Sequence, residues 1–205
     1  MNKTANPCRL YLILPERIGA GFEADLEAAL AAGDVACALL SRGAADESLA
    51  ATLCRVVQAR GAAFLVENDV GLARSIAADG VHIADGDTGY GAARAALGPN
   101  AIVGARGGLS RHASLVLAES GADYVALGDG AADPAATLAM IEWWAPIVEA
   151  PCVAWTAATP AAARALAVAG ADFVAVGAPV WRSDRPAAES VHDFTAALDA
   201  AREAA

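Results

Sequence analysis

Apolar runs of four to six residues alternate along the chain with longer, alanine-rich runs of helical period. The apolar runs are Leu10–Leu14, Val35–Leu40, Ala63–Val66, Gly80–Ile83, Ala101–Gly104, Tyr124–Leu127, Cys152–Trp155 and Phe173–Val176. They are short and bounded by Gly, Pro, Asp or Asn, which predicts strands. The intervening runs predict helices over Phe22–Ala32, Asp46–Ala59, Val70–Ala77, Tyr90–Leu97, Ser110–Ser120, Pro134–Ala145, Pro160–Ala169 and Ala187–Ala204. Ser110 is placed to cap its helix, and Pro160 to start one.

Continuous apolar strands separated by helices are the pattern of parallel strands covered on both faces. Eight such βα units in about 200 residues sit at the lower size limit of a TIM (β/α)8 barrel, so the expected fold is an α/β barrel, residues 1–205 forming a single domain. A weak repeat supports the closed form. Gly33-Asp34-Val35, Ala78-Asp79-Gly80-Val81, Gly121-Ala122-Asp123-Tyr124-Val125 and Gly170-Ala171-Asp172-Phe173-Val174 each precede an even-numbered strand. In this pattern the glycine ends a helix and the aspartate caps the tight turn into the strand. An open doubly wound sheet is the alternative, but the loop after the first strand, Pro15-Glu16-Arg17-Ile18-Gly19-Ala20-Gly21, is not a dinucleotide fingerprint.

Composition narrows the function classes. The formal net charge is −10 and Lys3 is the one lysine. With no basic stripe, neither a nucleic acid nor an anionic membrane surface is an expected partner. No apolar run approaches the roughly 20 residues of a membrane span, and the first residues have no signal-peptide pattern, so the expected location is cytoplasmic. Cys8, Cys37, Cys54 and Cys152 lack metal-ligand or redox spacing and read as reduced, buried thiols.

In a barrel the chemistry sits just after the strands. There the chain places Arg17, Arg42, Arg106 and Arg182, whose guanidinium groups match phosphate geometry. Thr156 follows the seventh strand and Gly177 the eighth, and with Arg42 and Arg106 they form a candidate substrate-binding set. Asn68 and Asp69 follow the third strand, and Asp85 and Asp87 the fourth. Asp69 and Asp87 on neighbouring exits could hold a hard cation such as Mg²⁺; each could equally cap the helix that follows it. His82 is either a hydrogen-bonded core residue or a base. His112 and His192 fall on helices and read as surface positions. Trp143 and Trp144 point about 100° apart on one helix. One can pack on the barrel, and the other would then mark a homodimer contact.

The chain resembles the thiamine phosphate synthase family, which includes the thiazole tautomerases. The likeness begins at Leu10-Tyr11-Leu12-Ile13 and continues through Asn68-Asp69, Gly80-Val81-His82-Ile83, Asp87 and the two Gly-Ala-Asp segments. It implies a barrel that joins an aminopyrimidine diphosphate to a thiazole phosphate, with Asp69 and Asp87 as Mg²⁺ ligands and Asn68 touching pyrimidine or diphosphate. The family's Gln-x-Arg-x-Lys pattern around the second strand reads here as Ala38, Leu40 and Arg42. Arg106-Gly107-Gly108 replaces a Ser/Thr-x-His-like loop, and Thr156-Ala157-Ala158 a Gly-Gly phosphate turn. Two readings follow: a transferase of this type with altered or lost activity, or a non-catalytic or regulatory barrel that binds a phosphorylated small molecule.

Overall fold

The computed structural model of the chain describes residues 7–84, 86–129, 133–155, 157–181 and 184–203, with residues 87 and 88 described in their backbone alone. Eight parallel strands close into a barrel in chain order: β1 Arg9–Ile13, β2 Val35–Leu40, β3 Ala63–Glu67, β4 Gly80–Ile83, β5 Ile102–Gly108, β6 Val125–Leu127, β7 Cys152–Ala154 and β8 Phe173–Val176. β8 pairs with β1 through Leu10 opposite Val174, which closes the ring. The helices α1 Phe22–Ala31, α2 Glu47–Gln58, α3 Val70–Ser75, α4 Asp87–Leu97, α5 Arg111–Glu119, α6 Pro134–Trp144 and α7 Pro160–Val168 follow β1 to β7 in turn. After β8 come a four-residue helix, α8 Ala178–Trp181, and the long α9 Ala187–Arg202. The strand pattern therefore predicts the architecture correctly. It misses α8, which is too short to carry a periodicity, and the extension of β5 to Gly108, where glycines hide the strand signal.

Two apolar cores result from strand alternation. Leu10, Leu12, Ala38, Leu40, Phe64, Val66, Val103 and Val125 face the helices. Tyr11, Cys37, Leu39, Leu65, Tyr124, Ala126, Val153 and Ala175 fill the barrel. Each fully buried leucine contributes about 1.5–3 kcal/mol of hydrophobic stabilisation. Trp144 is fully buried in the helix layer, and its indole N–H donates to the Ala150 carbonyl at 3.0 Å. Trp143 is half-buried with the Arg111 guanidinium 4.7 Å from its ring centre. Three of the cysteines are buried, and Cys8 is half-buried.

The repeated aspartates act differently from the turn caps the sequence suggests. Asp79 accepts the Phe64 N–H at 2.7 Å, Asp123 the Val103 N–H at 2.7 Å and Asp172 the Cys152 N–H at 2.8 Å. Each thus ties the loop before an even strand to the start of the preceding odd strand. Asp34 makes the fourth tie through the Arg9 side chain, 2.7 Å away. Charge-assisted bonds to backbone N–H groups are worth about 1.5–3 kcal/mol. The repeat therefore records the pairing of strands two by two. The glycines before Asp123 and Asp172 do end helices as expected: Gly121 and Gly170 have φ of 86° and 102°.

Candidate active site

Parity decides which side chains reach the barrel axis at the carboxyl ends of the strands. Carrying the inner alternation toward the mouth gives Ile13, Glu67, His82, Arg106, Trp155 and Gly177. Glu67 follows Ala63 and Leu65 on β3 and is paired in register with His82 on β4. Its Oε2 accepts the Arg42 backbone N–H at 3.1 Å. Arg106 lies within β5, two residues beyond Gly104, and its Nη2 is 2.6 Å from Asp129 Oδ1. A carboxylate, an imidazole and a guanidinium thus stand on three adjacent strands.

His82 is fully buried. Its Nδ1 is 3.0 Å from the Tyr124 hydroxyl, which is 2.9 Å from the Tyr11 hydroxyl. The Trp155 ring lies 4.9 Å from the imidazole and 11° from parallel. Among the described residues, the His82 Nε2 has no hydrogen-bond partner. Burial, helped by the positive charge of Arg106, lowers the imidazole pKa to about 3. His82 is therefore a neutral group. Burial raises both tyrosines well above their ordinary range, so both hydroxyls stay protonated.

The residues singled out from the sequence fall into distinct places. Asn68 adopts φ 52°; its backbone N–H donates to the His82 carbonyl at 3.0 Å, and its side-chain oxygen accepts the Ala84 N–H at 2.9 Å. It stitches the β3 and β4 exits together. Asp69 caps α3, accepting the Leu72 N–H at 2.9 Å. Asp87 is the first residue of α4, and its side chain lies outside the described residues. Arg42 has an exposed side chain just past β2. Gly177 lies between β8 and α8, where a Cβ would sit 3.2 Å from Ile13 Cβ. Thr156, Asp85 and Arg182 lie outside the described residues. His112 and His192 are exposed, as expected.

Strand parity sorts the positions on β2 and β3. Ala38 and Leu40 face the helix layer, so the inner positions of β2 are Cys37 and Leu39. On β3 the inward carboxylate is Glu67, whereas Asn68 and Asp69 belong to the turn. Tyr11, Tyr124 and Trp155 were not selected from the sequence, and Glu67 was read only as an exit residue of the third strand. The available signal was the two-residue alternation of β3, which puts Glu67 on the side of Leu65.

Among the described residues, two depressions at this end can be traced. One, of about 840 Å³, lies between the β1 exit and α8–α9 and is walled by Glu16, Arg17, Phe22, Trp181 and Arg185. Trp181 is fixed there by its indole N–H, which donates to the Ile13 carbonyl at 2.7 Å. The other, of about 400 Å³, brings Arg42 and Asn68 together beside Val70, Ile83 and α4. A hard cation needs several oxygen donors around one point. Among the described residues no group of three or more His, Cys, Asp or Glu side chains is placed to hold a metal ion. The described donors alone do not complete a divalent-cation site.

The closed eight-stranded barrel with a polar, aromatic mouth defines the chain as a TIM-barrel protein. Residues 10–180 match the thiamine monophosphate synthase family, and the chain belongs to that family. A thiamine-phosphate synthase of Rhodospirillum centenum is 42% identical over 198 residues, covering 91% of this chain and 96% of that protein. One of Erythrobacter litoralis is 39% identical over 202 residues, covering 92% and 95%. Among solved structures, a thiamine phosphate pyrophosphorylase of Pyrococcus furiosus superposes with a TM-score of 0.80 at 23% identity, covering 94% of this chain and 96% of that one. At that identity the superposition speaks for the fold. Among the described residues no helix is long and apolar enough to cross a membrane.

Proposed function

We propose that this chain is a transferase of the thiamine-phosphate synthase type, which joins an aminopyrimidine diphosphate to a thiazole phosphate. The observation that carries the reading is the 42% identity to a protein of that name along nearly the whole of both chains. In the reaction the bond from the pyrimidine methylene to the diphosphate oxygen breaks, and its electron pair leaves with diphosphate. The methylene cation is delocalised into the aminopyrimidine ring. The thiazole nitrogen lone pair then forms the new C–N bond, with no net proton change.

The residues at the mouth suit these steps. The Trp155 π face attracts a cationic methylene. The Glu67 carboxylate, held by the Arg42 N–H, retains lone pairs for a substrate amino group. Arg106 on β5 and Arg42, just past β2, are the cations this reading offers to the anionic leaving group, and Thr156 and Gly177 complete the substrate-binding set. Mg²⁺ enters through the family alone, with Asp69 and Asp87 as its ligands. The same reading makes the chain a cytoplasmic, single-domain protein that binds a small phosphorylated substrate. A second copy would dock near Trp143.

A second reading is a barrel that binds a phosphorylated small molecule without turning it over. It is favoured by the uncharged inner positions of β2, Cys37 and Leu39, and by the Arg106–Asp129 pair, which already occupies one cation. Complementation separates the two. Expressed in a bacterium lacking its own thiamine-phosphate synthase, the chain restores growth without added thiamine; failure of the folded, expressed protein to do so favours the binding barrel.

A further inference from the structure

Arg106 is a cation at the mouth that already holds an anion of its own chain. It lies opposite Ala126, an inward residue of β6, and so shares the inner face of the barrel. Its Nη2 is 2.6 Å from Asp129 Oδ1, and among the described residues Asp129 is the one hydrogen-bond partner of the guanidinium. A guanidinium has donors on several edges, so one edge is held and the others meet no described acceptor. The two side chains keep 36% and 56% of their exposure, so a ligand in the mouth can reach both.

The backbone fixes where both groups stand. β5 slips out of register with β6 between Arg106 and Gly108, a bulge of the kind that re-aims a side chain beside a site. The Gly128 N–H donates to the Gly108 carbonyl at 2.9 Å, which anchors the residue before Asp129 to that bulge. Gly128 has φ 109°, and a Cβ there would lie 2.5 Å from the Trp155 carbonyl oxygen, so no side chain fits. Bulge and turn together bring the carboxylate to the guanidinium. The pair is nevertheless weak, because water competes for two such exposed groups. A ligand with two or more negative charges attracts the guanidinium more strongly than one carboxylate does, and can take it bidentately.

We propose that Asp129 is an intramolecular stand-in anion, a positioning residue that holds the Arg106 guanidinium between turnovers and gives it up to the diphosphate group. The identity of the ligand rests on the synthase reading; the exchange itself rests on the geometry of the pair. The exchange runs both ways. When diphosphate departs, the carboxylate takes the guanidinium back, so Asp129 weakens the grip on the leaving group and favours its release.

The test is calorimetric titration of the folded full chain with inorganic diphosphate, at fixed low salt and without Mg²⁺. Asp129→Asn, which keeps the shape and removes the charge, is expected to bind diphosphate about three- to fivefold more tightly than the parent. Asp129→Glu keeps a carboxylate and stays within about twofold of the parent. Arg106→Gln binds at least about fivefold more weakly. In that background Asp129→Asn gains less than about twofold, because there is no guanidinium to free. With turnover, diphosphate inhibits Asp129→Asn at about three- to fivefold lower concentration than the parent. Weaker or unchanged binding by Asp129→Asn overturns the exchange. An equal gain in both backgrounds also overturns it, since Asp129 would then act as a remote charge only. Undiminished binding by Arg106→Gln, or no binding by either the parent or Asp129→Asn, overturns the anion role of Arg106. A chain that makes no product from the two substrates yet shows the expected cycle would sink the synthase reading and leave the exchange standing.

Discussion

The Tyr124 ring occupies the space that a side chain at residue 104 would need. A Cβ on Gly104 would lie 2.0 Å from Tyr124 Cζ, well inside van der Waals contact. β5 is therefore bare on its inner face at the point where the tyrosine crosses toward His82. Gly104→Ala forces the ring aside and is expected to cost about 2–3 kcal/mol, the upper range for overpacking a core. Denaturant unfolding measures it. Combined with Tyr124→Ala, which clears the space, the penalty of Gly104→Ala should largely vanish.

The aspartate ties predict a graded series. Asp79, Asp123 and Asp172 accept backbone N–H groups, and their removal leaves those donors unmatched. Replacing any of them by Ala should cost about 1–3 kcal/mol. Asp34 pairs with an arginine across side chains that are 38% and 64% exposed, so Asp34→Ala should cost less than about 1 kcal/mol. Urea midpoints for the four variants check the order.

His82 gives stability a pH slope. Its folded pKa, about 3, lies below the 6.5 of an unperturbed imidazole. Between these values the unfolded chain binds a proton that the folded chain refuses. Its contribution is thus fully present above about pH 6.5 and is lost as pH falls toward 3, by at most about 1.4 kcal/mol per pH unit. Tyr11, Tyr124, Glu67 and Arg106 surround the ring and remain in both proteins when His82→Phe is compared with the parent. Between about pH 7 and about pH 4.5 the parent should lose unfolding free energy that His82→Phe does not lose. Parallel slopes would contradict this account of His82.

Strand order, helix alternation and barrel closure were legible because a parallel barrel buries its strands on both faces, which leaves short apolar runs between amphipathic helices. The strand exits were legible, but which residues turn toward the axis depends on register, because a single-residue slip exchanges the two faces of a strand. Cys37 and Leu39, not Ala38 and Leu40, turn inward on β2, and Glu67 does so on β3. The Tyr11–Tyr124–His82 chain joins β1, the residue just before β6, and β4, and no local pattern records contacts 113 and 42 residues apart.

Asp69 separates capping from cation binding. As the α3 cap it accepts the Leu72 N–H, a role serine also performs. Asp69→Ala should lower stability by about 1 kcal/mol, and Asp69→Ser should restore most of it. If Asp69 also ligates Mg²⁺, both variants lose activity at low Mg²⁺, as Asp87→Asn does, and recover as the cation is raised. Thermal melts and a Mg²⁺ titration of turnover read the two roles apart. Full activity of Asp69→Ser at low Mg²⁺ would leave Asp69 as a cap alone.

The most direct measurement is turnover of the purified protein with the aminopyrimidine diphosphate, the thiazole phosphate and Mg²⁺. The account predicts coupled product and diphosphate in equal amounts, formed only when both substrates are present. It also predicts a marked loss of rate in Glu67→Ala and in Trp155→Ala. A folded protein that binds the phosphorylated substrates and releases neither product nor diphosphate would contradict it.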